Sequence, residues 1–194
     1  WVKEGKIQLF GEVGTTYAGY SPADSILDPY LEVSEEFDIP VGIHTGGSYP
    51  GIHINNQDFR LRYGDPFLVE DILVTHPKLR VYLMHSGSHF YERTAMLMVQ
   101  CPNLYSDIAI MNWYTNAEVF LVPFLKLAKE YQVLDRVMFG TDQIIWPEAI
   151  EMAIEKVQSL DFLTLKEKED IFYMNAARFL NLSDETIAKH HDQK

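Results

Sequence analysis

Cysteine is almost missing from this chain: Cys101 is the one thiol among 194 residues. No disulfide can form within the chain, and a thiolate zinc cluster is excluded. Cys101 lies in Cys-Pro-Asn and reads as a small apolar residue near a turn. Long hydrophobic runs are missing too. No apolar stretch approaches the ~18 residues that span a bilayer, and no secretory leader is visible, so the cytoplasm is the expected location. The chain opens on Trp1 rather than Met, which leaves room for residues upstream. Positive charge is scarce: 16 Lys and Arg stand against 28 Asp and Glu, for a formal net charge of -12. Such a surface repels phosphate backbones and anionic lipid heads, which argues against nucleic acid and membranes as partners but not against a divalent cation. Nucleotide-binding glycine loops of the Gly-x-Gly-x-x-Gly and Walker types are absent. So is the Gly-x-Ser-x-Gly elbow of serine hydrolases.

What is present is an ordinary globular composition, 47% apolar and 13% aromatic, enough for one domain with a sizeable core. Short apolar runs alternate with helical patterns. Strands are expected at 7–13, 41–44, 80–85, 104–110 and 136–139. Helices are expected at 24–37, 66–75, 90–99, 118–131, 148–160 and 164–180. In the first helix Leu27, Leu31, Ser34 and Phe37 share one stripe. In the fourth, Phe120, Phe124, Leu127 and Tyr131 are expected to face inward, with Pro123 in the first turns. Thr164 and Glu167 have the spacing of a capping box. Residues 183–194 form a polar tail or a short terminal helix. Strands separated by helices imply a parallel sheet, since each crossover must return to the same end. The near-continuous apolar strands suit burial on both faces. Strand periodicity leaves open whether the sheet is doubly wound or a barrel.

Metal-ligand residue types recur where these strands end. Glu12 closes the first, His44 the second, His85 the third, and Asp142 follows the fifth. The C-terminal ends of parallel strands form the active face of β/α folds. Two imidazoles and two carboxylates suit a divalent metal: Zn first, with Mn and Fe as alternatives. Each residue also has a structural reading, as a core histidine, an N-cap or a strand-end ion pair. The conjunction of four at one end favours the metal. Around them, His53, His89 and Trp146 are candidates for substrate contact. Arg93, Trp113 and His76 read as surface or packing residues.

The segments Phe-Gly-Glu-Val-Gly (10–14), Ile-Pro-Val-Gly-Ile-His-Thr-Gly (39–46), His-Pro-Lys-Leu-Arg-Val-Tyr-Leu-Met-His-Ser-Gly (76–87), Val-Met-Phe-Gly-Thr-Asp (137–142) and Asn-Ala-Ala-Arg-Phe-Leu-Asn-Leu (175–182) carry a resemblance. In order and spacing the chain resembles the amidohydrolase superfamily, and within it the amidohydrolase-related family that includes aminocarboxymuconate-semialdehyde and resorcylate-type decarboxylases. The resemblance implies an α/β fold of the (β/α)8 TIM-barrel type, present here in part as strands four to eight. It implies that 1–182 form this partial barrel domain. It makes His44 the fifth-strand metal ligand and His85 the sixth-strand histidine that binds metal or orients water. Asp142 becomes the eighth-strand aspartate that binds metal and shuttles a proton, and Glu12 takes the fourth-strand position that bridges metals in some relatives. The family's first strand ends in His-x-His, and no such pair exists in this sequence. Three β/α units are therefore expected upstream, or else the remaining strands form an open sheet or pair with another copy, as a homo-oligomer.

On this reading Asp142 and His85 are the catalytic residues. The expected activity is metal-dependent hydrolysis of a C–N or C–O bond in a small carboxylated or cyclic molecule. Non-oxidative decarboxylation is the close alternative, since the same ligands serve both. A non-catalytic metal- or small-molecule-binding domain is the alternative of another class.

Overall fold

The computed structural model describes residues 1–114 and 117–192. Five strands form one parallel sheet in chain order. They are β1 (Phe10–Val13), β2 (Val41–His44), β3 (Val81–Met84), β4 (Leu104–Asp107) and β5 (Val137–Met138). In between come α1 (Thr15–Ala18) and α2 (Asp28–Glu36) after β1, and α3 (Ile52–Asn55) and α4 (Glu70–Thr75) after β2. α5 (Tyr91–Gln100) follows β3 and α6 (Leu121–Glu130) follows β4. α7 (Glu148–Gln158), α8 (Leu165–Glu169), α9 (Asn175–Phe179) and α10 (Asp184–Asp192) complete the chain.

The sheet has two unlike faces. Val41, Ile43, Val81, Leu83, Leu104 and Val137 are fully or almost fully buried and join the core cluster with Leu97, Met98, Leu121, Phe124 and Val157 of the helices. Gly42, Tyr82 and Tyr105 stand in register on the opposite face, as do His44 and Met84, and Asp107 and Met138. Strand alternation thus separates a helix-packed side from an inner side that carries the polar residues. Phe179 of α9 closes the lower end of that inner side, with its ring centroid 5.5 Å from Tyr82 and 4.9 Å from Tyr105.

The strands are shorter than the apolar runs suggested. β1 begins at Phe10 rather than Ile7, β3 stops at Met84, and β4 stops at Asp107 rather than Ile110. The β4 run ends early because Asp107 accepts the backbone N–H of Ala109 at 2.9 Å and Ile110 turns left-handed at φ 65. α6 starts at Leu121, not Glu118, and its buried stripe is Leu121, Phe124, Leu125 and Ala128. Tyr131, expected inside, is the C-cap and lies 43% exposed, since one helical step rotates the stripe away from it. The capping box at Thr164 and Glu167 is formed, and 165–179 run as one helix with a π stretch at Asp170–Met174. The expected terminal tail holds α10; its last two residues lie outside the described residues.

The last strand of the sheet, β5, is covered by the C-terminal helix. Asn175 Nδ2 donates to Val137 O at 2.6 Å, and Phe139 N donates to Ile171 O at 2.8 Å. The C-terminal helix therefore satisfies polar groups that an edge strand would leave open. Leu83 lies in the middle strand of the sheet and is fully buried. Leu83→Ala is expected to cost about 2–5 kcal/mol of stability in urea unfolding, whereas Val74→Ala, at a 73% exposed position, stays within about 0.5 kcal/mol. Equal midpoints for the two variants would contradict this core.

Candidate metal centre

Glu12 alternates with Val13 in β1, and His44 ends β2, so both side chains rise on the inner face at the C-terminal end of the sheet. Glu12 Oε1 lies 2.6 Å from His44 Nδ1 and 3.8 Å from His85 Nε2. The two imidazoles meet edge-on, with centroids 4.9 Å apart and an interplanar angle of 72°. One ligand-type atom from each of Glu12, His44 and His85 falls within 4.8 Å of the others. Both histidines are buried. Gly46 tightens the arrangement: a Cβ there would stand 2.8 Å from Gly87 O, so the loops that follow His44 and His85 touch backbone to backbone.

Asp142 lies outside that group of three, in the loop after β5, exposed and left-handed at φ 52. Its charge nevertheless acts on His85 and on Tyr17. Thinned hydration raises the Asp142 carboxyl above its ordinary range; His85 draws it down and Glu12 pushes it further up. The hydrogen bond with His44, and then the His85 imidazole close by, hold the Glu12 carboxyl far below the usual carboxylate range, against the effect of burial. For His85 burial is the largest influence and lowers it. Glu12, Asp107 and Asp142 together outweigh burial, so the imidazole is raised.

Asp107 and Tyr17 were not singled out from the sequence. Asp107 is 6% exposed; its Oδ1 accepts the backbone N–H of His85 at 2.9 Å and that of Ala109 at 2.9 Å. Burial raises its carboxyl. The polar Ser-Asp pair inside an apolar run was its one sequence signal. Tyr17 of α1 packs edge-on against His44 with centroids 5.0 Å apart, and its hydroxyl donates to Ser48 Oγ at 3.3 Å. No sequence signal marked it.

The other candidates stand further out. His53 is exposed on α3, edge-on to Phe59 at 5.5 Å, and Phe59 in turn lies 5.4 Å from Tyr17. His89 is exposed and packs 4.4 Å from the Phe120 ring. Trp146 is 57% exposed and meets Trp113 edge-on at 6.4 Å, while Trp113 Nε1 donates to Thr141 O beside Asp142. Arg93 pairs with Asp65, and His76 lies 3.4 Å from Glu35, so both are structural.

The donor set fits a divalent ion. His44 faces two acceptors: Glu12 Oε1 at 2.6 Å and Gly47 O at 3.1 Å from its Nε2. A neutral imidazole has one N–H. If Nε2 donates to Gly47 O, Nδ1 turns a lone pair towards a carboxylate, which is repulsive unless a second proton or a cation lies between them. A backbone carbonyl that fixes the tautomer is a common outer support for a metal-binding histidine. His85 Nδ1 is also buried without a hydrogen-bond partner.

Parallel strands with helices packed on one face, and an imidazole–carboxylate cluster at their C-terminal ends, define the class of metal-binding β/α-barrel proteins. The chain belongs to the amidohydrolase family, which it matches over residues 10–182. No curated protein sequence matches it. Among solved structures it is similar to an uncharacterized TIM-barrel protein from Bordetella bronchiseptica, with 23% identity, a TM-score of 0.68, and coverage of 85% of this chain and 55% of that one. It is similar to 4-oxalomesaconate hydratase from Rhodopseudomonas palustris, with 18% identity, a TM-score of 0.57, and coverage of 92% and 58%. It is also similar to 5-carboxyvanillate decarboxylase from Novosphingobium aromaticivorans, complexed with manganese and 4-hydroxy-3-methoxy-5-nitrobenzoic acid, with 18% identity, a TM-score of 0.56, and coverage of 85% and 54%. These likenesses show the fold as that of a TIM barrel, present here in part. The chain spans little more than half the length of each. Among the described residues no helix is long and apolar enough to cross a membrane.

The contact between Glu12 and His44 gives a calorimetric test. Mn²⁺ affinity is expected to fall about 10–100-fold in Glu12→Gln. Unchanged affinity would contradict a place for Glu12 in the ligand set.

Proposed function

We propose that this chain forms the later half of a metal-dependent hydrolase site that cleaves a C–N or C–O bond in a small carboxylated or cyclic molecule. The observation that carries the reading is the convergence of Glu12, His44 and His85 within 4.8 Å at the active end of the strands. These three would hold the ion, which supplies Lewis acidity when bound. Zinc is the first expectation from the ligand types; a manganese-bound neighbour keeps manganese level with it. Asp142, at the rim, accepts a proton from the attacking water and returns it to the leaving group; thinned hydration raises its carboxyl, which favours holding that proton. Tyr17 and Ser48 offer hydroxyls beside His44 for a polar substituent. Trp146, His89 and His53 lie further out, where they would meet the bulk of a larger substrate. The partner is a small molecule, and association with a second copy is compatible with the reading.

Decarboxylation is the second reading. The hydratase and decarboxylase among the neighbours support it, because one ligand set serves either outcome. A panel of amides, esters, lactones and aromatic carboxylates separates the two by product.

Elemental analysis of protein purified without chelator is expected to find about one divalent ion per chain. His44→Ala is expected to lose it. Asp142→Ala is expected to keep it while turnover of any substrate found falls about 10²–10⁴-fold. Loss of the ion in Asp142→Ala would return the aspartate to the ligand set. An ion with no turnover across the panel would favour a binding domain, and no ion under any loading would overturn the metal reading.

A further inference from the structure

The turn after β3 is unusual. His85, Ser86, Gly87 and Ser88 all have positive φ, at 64°, 46°, 70° and 47°. Non-glycine residues pay about 1–2 kcal/mol each for that conformation, so the turn persists only if its surroundings hold it. The turn also does something specific. Continued alternation would send His85 to the helix-packed side with Val81 and Leu83. Its ring instead lies against His44 on the inner face.

The holding groups come from three neighbouring elements. Asp107 of β4 accepts the His85 N–H at 2.9 Å. Ser86 Oγ meets Ser106 Oγ at 2.6 Å and donates to Asp107 O. Thr45, after β2, accepts Gly87 N at 3.0 Å and donates to Met84 O at 2.6 Å. Thr94 of α5 donates to Ser86 O at 2.9 Å. Of these, Asp107 alone reaches His85 itself, the residue where the chain leaves the strand and changes side. The same oxygen ties down Ala109, so a single carboxylate joins the ends of β3 and β4. Among the described residues no Lys, Arg or His side chain forms an ion pair with it, although it is buried. Burying a carboxylate without a cation is costly, and such residues concentrate at functional sites.

We propose that Asp107 is the positioning residue of this centre: its Oδ1 fixes the left-handed backbone at His85 and thereby delivers the imidazole to Glu12 and His44. The inference rests on the metal reading of those three residues. It requires only the acceptor oxygen, so Asn at this position supports the turn and Ala does not.

The experiment compares wild type, Asp107→Asn and Asp107→Ala in the full chain, with circular dichroism to establish folding. Two readouts are taken: the ¹H–¹⁵N imidazole resonances of His85 without metal, assigned with His85→Gln, and Mn²⁺ affinity by calorimetry. Asp107→Ala is expected to move the His85 imidazole resonances and weaken Mn²⁺ binding about 10–100-fold, with Asp107→Asn restoring both. Unmoved resonances in folded Asp107→Ala overturn the proposal, as does failure of Asp107→Asn to restore them. If Asp107→Ala does not fold, Asp107→Asn decides alone: wild-type resonances support the acceptor role and displaced ones overturn it. Wild type that binds no Mn²⁺ sinks the metal reading, while the His85 resonances still decide the positioning role.

Discussion

A parallel strand sends alternate side chains to opposite faces, and the chemistry at the top of this sheet depends on breaking that rule once. Glu12 and His44 obey it and stand on the inner face. His85 reaches them through a left-handed turn of which three members are not glycine. At about 1–2 kcal/mol each the conformational cost is comparable to the return from the six hydrogen bonds that hold the turn, at about 0.5–1.5 kcal/mol apiece. The turn is therefore held in place without a large surplus of stability, which makes its position sensitive to any one brace. Thr45, Ser86, Thr94 and Ser106 are all buried hydroxyls, and each is bonded to the turn or to the strand ends beside it.

The charges at the site lean the same way. Three carboxylates (Glu12, Asp107 and Asp142) gather around two imidazoles. Glu12 raises Asp142, and Asp142 in turn raises Asp107. Protons on both histidines would balance part of that excess, and a divalent cation would balance it without them. Among the described residues no lysine or arginine pairs with these carboxylates, and Glu12 pairs with the two histidines instead. Repulsion among the acids and the doubly accepted His44 are thus two signs of one property: the site is built around positive charge.

The sequence made the alternation of strands and helices legible because apolar runs report burial. β2 was read to the residue, and Thr164 with Glu167 announced the start of the last long helix. Burial patterns carry no sign of φ, however. The run Ile108–Ala109–Ile110 looks like strand, and its departure at Asp107 depends on a hydrogen bond between chain segments and a left-handed Ile110. Placing Asp107 in mid-strand hid it among residues that alternate, whereas at the strand end it would have joined His44. Tyr131 misled for a related reason, since a spacing of three and four fits two adjacent stripes on one helix. Tyr17 gave no signal because its relation to His44 arises from how a short helix folds back over β2. The closure of β5 by Asn175 and Ile171 was equally invisible, being a contact across 38 residues in one case.

The likeness to TIM-barrel structures decides which kind of parallel sheet this is. Neighbouring strands lie about 4.8 Å apart, so in a flat sheet the ends of β1 and β5 would be separated by roughly 19 Å. A barrel wall curls its inner face and brings the ends of distant strands towards a common centre. Glu12 of β1, His44 of β2 and His85 after β3 already meet there, and Asp142 follows β5 at the same end of the sheet. The same curvature that gathers the ligands exposes the inner face below them, and Phe179 packs edge-on against Tyr82 and tilted against Tyr105 there. The C-terminal helix therefore serves the site twice, plugging the floor of the curve and pinning its last strand.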